Sequence, residues 1–281
     1  MNSEPRLSGI AIHVFSGTGN TLLATRGMAE VFESAGIAVE FHRMPEEPWT
    51  APPAGYAILF AFPVYEQSAP LFIQNYIAEI PVLETPTKTY VLTTMAGFSG
   101  FVKTPVGRLL EKRGFVSTGI REIVMPSNFI LHSASEKNKT ILKRGLREAA
   151  EFAENIIAGN AEWQRPSMLN ATAYPPVKLC AKIFSKIFSK FKATDKCVGC
   201  GLCAELCPVG NIEMADDGPR WNGKCALCLR CVSFCPENAI RSKFGNRLFQ
   251  PRYTAEGISP ADLLPNSARH APTTTNPTNK N

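Results

Sequence analysis

The chain has 281 residues, 44% of them apolar, which is enough for one packed domain of ordinary size and a smaller one beside it. Its longest clearly apolar run, residues 56–64, falls far short of the ~20 residues that a membrane span requires, and residues 1–15 lack the basic start and long apolar core of a secretory leader. Formal net charge is +6, and eight of the nine cysteines fall between Cys197 and Cys235. Thiols are scarce elsewhere, which suits a reducing, cytoplasmic setting.

Residues 10–15 form a short apolar run, read as a strand. The polar loop Ser16-Gly17-Thr18-Gly19-Asn20-Thr21 follows, and a helical pattern begins at once over 22–35. Strand, glycine- and hydroxyl-rich loop, helix: this order gathers backbone N–H groups and the positive end of a helix around an anion. Ser16, Thr18 and Thr21 add hydroxyls, while Gly17 and Gly19 allow close approach. The Walker pattern needs a lysine, and none is present. The dinucleotide pattern needs a third glycine where Leu22 stands, although Glu40 keeps that form open as a ribose-binding acid. A capped turn without a ligand is the plainest alternative.

Further strands are expected at 37–43, 56–62, 89–94 and 119–125, and helices at 69–80, 102–114 and 136–158. Strands alternating with helices imply an α/β fold with a parallel, doubly wound sheet. Ligands in such sheets bind beyond the carboxyl ends of the strands, at the topological switch point. That selects three loops: 16–21, 63–68 and 93–100. His13, His42, His132 and His270 show no partner spacing, so no catalytic residue is assigned.

The loop S-G-T-G-N-T resembles the phosphate loop of flavodoxins, where hydroxyls hold a single terminal phosphate. The resemblance implies sheet order 2-1-3-4-5 and a bound FMN. It also places Pro63, Val64 and Tyr65 in a turn whose tyrosine covers the flavin ring. Backbone amides of Thr94, Met95, Ala96 and Gly97 would then reach the ring's polar edge. Flavodoxins commonly carry an acidic or aromatic residue in this third loop; here only Phe98 is offered. Residues 125–129 also look family-like without an assigned role, and Asn128 is read as a turn residue.

Residues 159–176 read as a linker, rich in Pro, Asn and small residues. Residues 178–192 then show a helical period, with Leu179, Ile183, Phe184, Ile187, Phe188 and Phe191 on one face and four lysines mostly on another. Such a helix either lies on an anionic membrane surface or docks its apolar face onto a domain; docking is the expectation adopted. Cys180 on this helix is read as a buried thiol.

Residues 197–208 read C-V-G-C-G-L-C-A-E-L-C-P, and residues 225–236 read C-A-L-C-L-R-C-V-S-F-C-P. This is the bacterial ferredoxin run C-x2-C-x2-C-x3-C-P, written twice with an offset of 28 positions. A cube needs four thiolates from different directions; three on a tight loop cover one side, and the fourth ligates the other cube. One [4Fe–4S] cluster is therefore assigned to Cys197, Cys200, Cys203 and Cys235, and a second to Cys225, Cys228, Cys231 and Cys207. Structural zinc would leave the extra cysteine and the Cys-Pro of each copy unexplained, and a disulfide framework would suit a secreted chain. Loaded clusters and a phosphate ester are anionic and bring the holoprotein near neutrality, so the positive charge does not argue for nucleic acid.

Over residues 10–245 the chain resembles the fused flavodoxin–ferredoxin proteins. The expected division is a flavodoxin-like domain at 8–160, linker and helix at 161–192, a small α+β ferredoxin domain at 193–247, and a disordered tail at 248–281. The expected function is electron transfer between two [4Fe–4S] clusters and FMN, and on to a redox partner protein. Two alternatives stay open: a flavin-dependent reductase of a small acceptor such as a quinone, and a ferredoxin fused to a ligand-free docking domain.

Overall fold

The computed structural model describes residues 7–65, 67–98, 101–128, 135–164, 183, 186–242 and 252–265. Expectations for Cys180, His132, His270 and most of the linker lie outside them. The first half contains strands β1 (Gly9–Val14), β2 (Ala38–Arg43), β3 (Tyr56–Pro63), β4 (Thr87–Met95) and β5 (Phe115–Val124). They pair in parallel in the order β2-β1-β3-β4-β5, the flavodoxin-like doubly wound order. Strands β1, β3 and β4 are the interior of this sheet, and helices cover both of its faces, which is why β1 and β3 read as near-continuous apolar runs.

Helices α1 (Asn20–Ser34) and α4 (Ser135–Ile157) cover one face, where Leu22, Met28, Phe32, Phe152 and Ile156 pack against Ile10, Ile12 and Leu59. Helices α2 (Leu71–Glu79) and α3 (Lys103–Glu111) cover the other, where Ile73, Ile77, Val106 and Leu110 meet Phe60 and Phe62. Each such side chain contributes about 1.5–3 kcal/mol by leaving water. Strand β5 starts earlier than its sequence suggests, and its register with β4 slips beside Tyr90. Gly119 accommodates the slip, since a Cβ there would stand 2.8 Å from Ala161 and 3.2 Å from the Tyr90 ring. The Ile120 N–H donates to the Glu162 carbonyl at 3.1 Å, so the chain stays packed on the first domain past residue 160.

The second half is small. Strand β6 (Phe191–Ala193) pairs antiparallel with β9 (Ile240–Ser242), and β7 (Ile212–Ala215) pairs with β8 (Gly218–Trp221). Short helices α5 (Leu202–Glu205) and α6 (Arg230–Phe234) follow the two cysteine loops. The sequence repeat is also a backbone repeat. Gly199, Gly201 and Gly210 have positive φ, and so do their counterparts Leu227, Leu229 and Asn238. Leucine in that region is strained by roughly 1–3 kcal/mol, so the cysteine loop enforces a shape that its second copy does not favour locally.

Two expectations are corrected. The helix expected over 178–192 does not reach Phe191, which lies in β6 and is buried with Ile212, Leu229, Val232 and Ile240. Pairing with β9 plus that burial outweighs one more helical turn. At Ile183 and Ile187 the apolar face is 53% and 42% exposed rather than docked. Secondly, residues 252–264 are not a disordered tail: Ala255, Ile258 and Leu263 are buried in the core shared with α1, and α7 (Pro260–Leu263) starts with a capping box between Ser259 and Asp262. Among the described residues no helix is long and apolar enough to cross a membrane.

A histidine lies deep in the first domain. His13, fully buried on β1, shares a hydrogen bond with the Tyr76 hydroxyl at 3.1 Å and stacks on His42 and Trp49. Burial, with a smaller push from His42, lowers its pKa to about 3. The unfolded chain, with the histidine near 6.5, therefore binds a proton that the folded chain refuses. The resulting stability is present above pH 6.5 and is lost as pH falls towards 3. Between pH 6.5 and 5.5 the wild type should lose unfolding free energy with a slope approaching one proton. In His13→Phe that slope should be reduced by the same amount, as anaerobic urea denaturation at stepped pH will measure.

Candidate functional site

The carboxyl ends of β1, β3 and β4 bring the three expected loops together. Residues 16–21 turn from β1 into α1, and Ser16, Thr18 and Thr21 are buried. Within the loop the Gly19 N–H donates to Ser16 Oγ at 3.1 Å. Thr21 and Thr94 share a hydroxyl–hydroxyl hydrogen bond of 2.8 Å, tying the first loop to the third. Thr18 Oγ1 accepts from Asn128 Nδ2 at 3.2 Å. As acceptors, Ser16 and Thr18 keep their hydroxyl protons for another partner. The leading N–H groups of α1 have no intrahelical acceptor, so donors converge here around an anion-sized demand.

Asn20 does something different. Its amide donates to the Pro126 carbonyl at 2.9 Å and accepts from the Tyr253 hydroxyl at 2.6 Å. Both ends of its side chain hold the loop in place. Asn128, read as a turn residue, is likewise a brace for the loop.

The second loop is closed by reciprocal backbone bonds between Tyr65 and Ser68, each 3.0 Å. It is tied to the third loop by Val64 N–H to Thr94 carbonyl at 2.8 Å and Phe101 N–H to Gln67 carbonyl at 2.7 Å. Pro63 and Val64 are half-buried, as is Tyr65, whose hydroxyl is wholly covered and has no hydrogen-bond partner among the described residues. Burial, then the nearby Cys228, raises its pKa well above the usual value, so the phenol stays neutral. In the third loop Met95 is buried, whereas Ala96 and Gly97 are open to solvent and Phe98 is 71% exposed. Glu66, Ser99 and Gly100 lie outside the described residues.

The cysteines gather in two cavities. Cys197, Cys200 and Cys203 line the outer one together with Cys235, and Cys225, Cys228 and Cys231 line the inner one together with Cys207. The fourth cysteine of each run thus faces the other run's cavity. Backbone N–H groups aim at the crossing sulfurs in equivalent places: Asn211 at Cys207 (3.2 Å) and Ala239 at Cys235 (3.3 Å). The outer cavity carries the exposed Cys200, with Val198 and Met214 beside it 66% and 40% exposed. The inner one is walled in: burial pushes the Cys228 thiol up to about 12, and Cys231 well above its ordinary value.

The inner cavity sits against the first loop. A Cβ on Gly17 would stand 2.4 Å from the Tyr65 hydroxyl and 2.6 Å from the Cys228 carbonyl, so only glycine fits between them. Arg230, one residue from Cys231 and 1% exposed, fastens this junction. Its Nε donates to the Ser16 carbonyl at 3.0 Å and its Nη1 to Glu46 at 2.5 Å, while its guanidinium lies 4.5 Å over the Phe15 ring. Sequence reading passed over Arg230, because a lone arginine in a cysteine loop has no periodic signal.

Residues 196–240 match the family described as a 4Fe-4S dicluster domain. They are similar to a ferredoxin-like protein in the nif region of Trichormus variabilis, 43% identical over 42 residues, 15% of this chain and 35% of that one. An uncharacterized ferredoxin of Methanocaldococcus jannaschii is 39% identical over 57 residues, covering 17% of this chain and 70% of its own. The chain thus spans about a third of the length of the first curated relatives it matches. Among solved structures, a flavodoxin from the domain Archaea aligns with 53% of this chain and 97% of its own at 13% identity and TM-score 0.36. An NAD(P)H:quinone oxidoreductase from Methanothermobacter marburgensis aligns with 54% and 100% at 11% identity and TM-score 0.39.

Removing one partner of a buried ion pair strands the other charge, at a cost of about 3–5 kcal/mol. Arg230→Ala should therefore destabilise the chain by an amount in that range, and the double variant Arg230→Ala/Glu46→Ala by less than the sum of the singles. Anaerobic denaturation of the four proteins closes that cycle.

Proposed function

We propose that this chain, which belongs through residues 196–240 to the 4Fe-4S dicluster ferredoxin family, is an electron-transfer flavoprotein that joins two [4Fe–4S] clusters to an FMN. The observation that carries the reading is the seating of the inner cysteine cradle on the loop of residues 16–21, with Tyr65 and Cys228 meeting at Gly17. A docking domain without a ligand would not require a buried phenol that has no hydrogen-bond partner among the described residues at that meeting point. Bound clusters pass single electrons and a flavin holds one or two.

The chain's own residues fit the parts. The N–H groups of residues 17, 18, 20 and 21 and the hydroxyls of Ser16, Thr18 and Thr21 would hold the terminal phosphate, with the Tyr65 phenol as a further buried donor. Backbone amides of residues 94–97 would meet the ring's polar edge. Phe15, Tyr65 and Cys228 share one apolar cluster, which keeps water from the junction between inner cradle and flavin. The outer cradle, with Cys200, Val198 and Met214 at the surface, faces a redox partner protein. The order is then partner, outer cluster, inner cluster, flavin.

Protein purified without oxygen should contain about one FMN and, for two four-iron clusters, about eight irons per chain. Cys200→Ser should disturb the outer cluster and leave the inner one in place. About eight irons with no flavin, even after addition of FMN, would make the first half a docking module and end this reading.

A further inference from the structure

The C-terminal segment brought into the fold by residues 252–264 touches both halves of the proposed redox unit. At one end the Arg252 guanidinium donates to the carbonyl of Cys235, a lining residue of the outer cradle, and to that of Val232 at 3.4 Å. At the other end the Ala255 N–H donates to the Thr18 carbonyl at 2.8 Å, and the Tyr253 hydroxyl donates to Asn20 Oδ1 at 2.6 Å. Beyond, Asp262 pairs with Arg26 of α1 at 2.5 Å. Ala255, Ile258 and Leu263 lie in the same apolar cluster as Leu22 and Met28 of α1 and Leu206 of the ferredoxin half.

These contacts act on the shape of the first loop. A peptide unit is planar, with its C=O and N–H pointing in opposite directions. Holding the Thr18 carbonyl outward therefore holds the Gly19 N–H inward, where it donates to Ser16 Oγ. Gly19 has φ of 109°, and a Cβ there would stand 2.7 Å from Ala255 and 2.9 Å from Ile258, so the segment lies directly on the loop. Asn20 is pinned from both sides, by Pro126 and by Tyr253. The segment leaves the donor side of the loop untouched and braces its carbonyl side.

We propose that residues 252–264 are a strap that fixes the loop in its phosphate-holding shape and makes FMN retention depend on the ferredoxin half to which Arg252 is anchored. The inference rests on reading residues 16–21 as the FMN phosphate loop. Each of these anchors is made to a protein atom, so the strap's residues position the loop rather than bind the ligand.

The test uses the full chain with its clusters, stripped of flavin and titrated with FMN while flavin fluorescence is followed, with iron content checked in every preparation. Tyr253→Phe removes one hydroxyl and no packing, and should raise the FMN Kd about fivefold, the worth of one hydrogen bond. A chain ending at residue 251 should raise it more than about tenfold, since three further anchors are lost. Arg252→Gln, remote from the loop, should weaken FMN in the same direction. Iron-replete Tyr253→Phe and truncated proteins that bind FMN like the wild type would overturn the strap while leaving the phosphate-loop reading intact. Weakening in Tyr253→Phe but not in Arg252→Gln would overturn the link to the ferredoxin half. Failure of the unaltered chain to bind FMN would overturn the loop reading, and this inference with it.

Discussion

The structure turns on a guanidinium buried between two domains. A charge withdrawn from water is expensive unless its partners replace the lost hydration. Arg230 is given a carboxylate in Glu46, a carbonyl in Ser16, a weaker carbonyl contact in Leu206 and the face of Phe15. Glu46 and Ser16 belong to the sheet domain and Arg230 to the cysteine loop, so the pairing is satisfied only when the domains are in register. Hydrophobic contact alone would hold them together with less directional constraint. The fork of a guanidinium specifies the angle.

From that register follows the use of two glycines. Gly17 and Gly19 read in sequence as residues that let a phosphate approach the backbone. In the fold their open sides also face protein: Gly17 admits Tyr65 and the Cys228 carbonyl, and Gly19 admits Ala255 and Ile258. The loop is thus packed from two flanks. A side chain at either position would disturb the assembly of the halves before it disturbed a ligand.

What the sequence made legible is what repeats or alternates. Apolar runs gave the five strands to within a few residues, and the spacing of the cysteines anticipated that Cys207 and Cys235 would cross to the opposite cavities. What stayed hidden depends on contacts distant in sequence. Residues 252–264 have the composition of a loose tail, and their order comes from single hydrogen bonds to Thr18, Asn20 and Cys235. One local signal was available: Ser259, Pro260 and Asp262 spell a helix start, short but well capped. Phe191 misled for a related reason, since its periodicity continued a helix while β9, far along the chain, offered it a strand partner.

The partner of the Thr18 carbonyl is Ala255, almost the whole chain away. Synthesis runs from the N-terminus, and domains fold as they emerge. The sheet can form early, for its strands are consecutive, yet the Asn20 amide and the Arg26 guanidinium must wait for Tyr253 and Asp262. The ferredoxin segment is made in between. In topological terms it is an insertion within the first domain, entered after Gln164 and left before Tyr253. The birth order of the polypeptide therefore places the cysteine loops ahead of the contacts that finish the flavodoxin-like half, and maturation of this protein ends where its fold began.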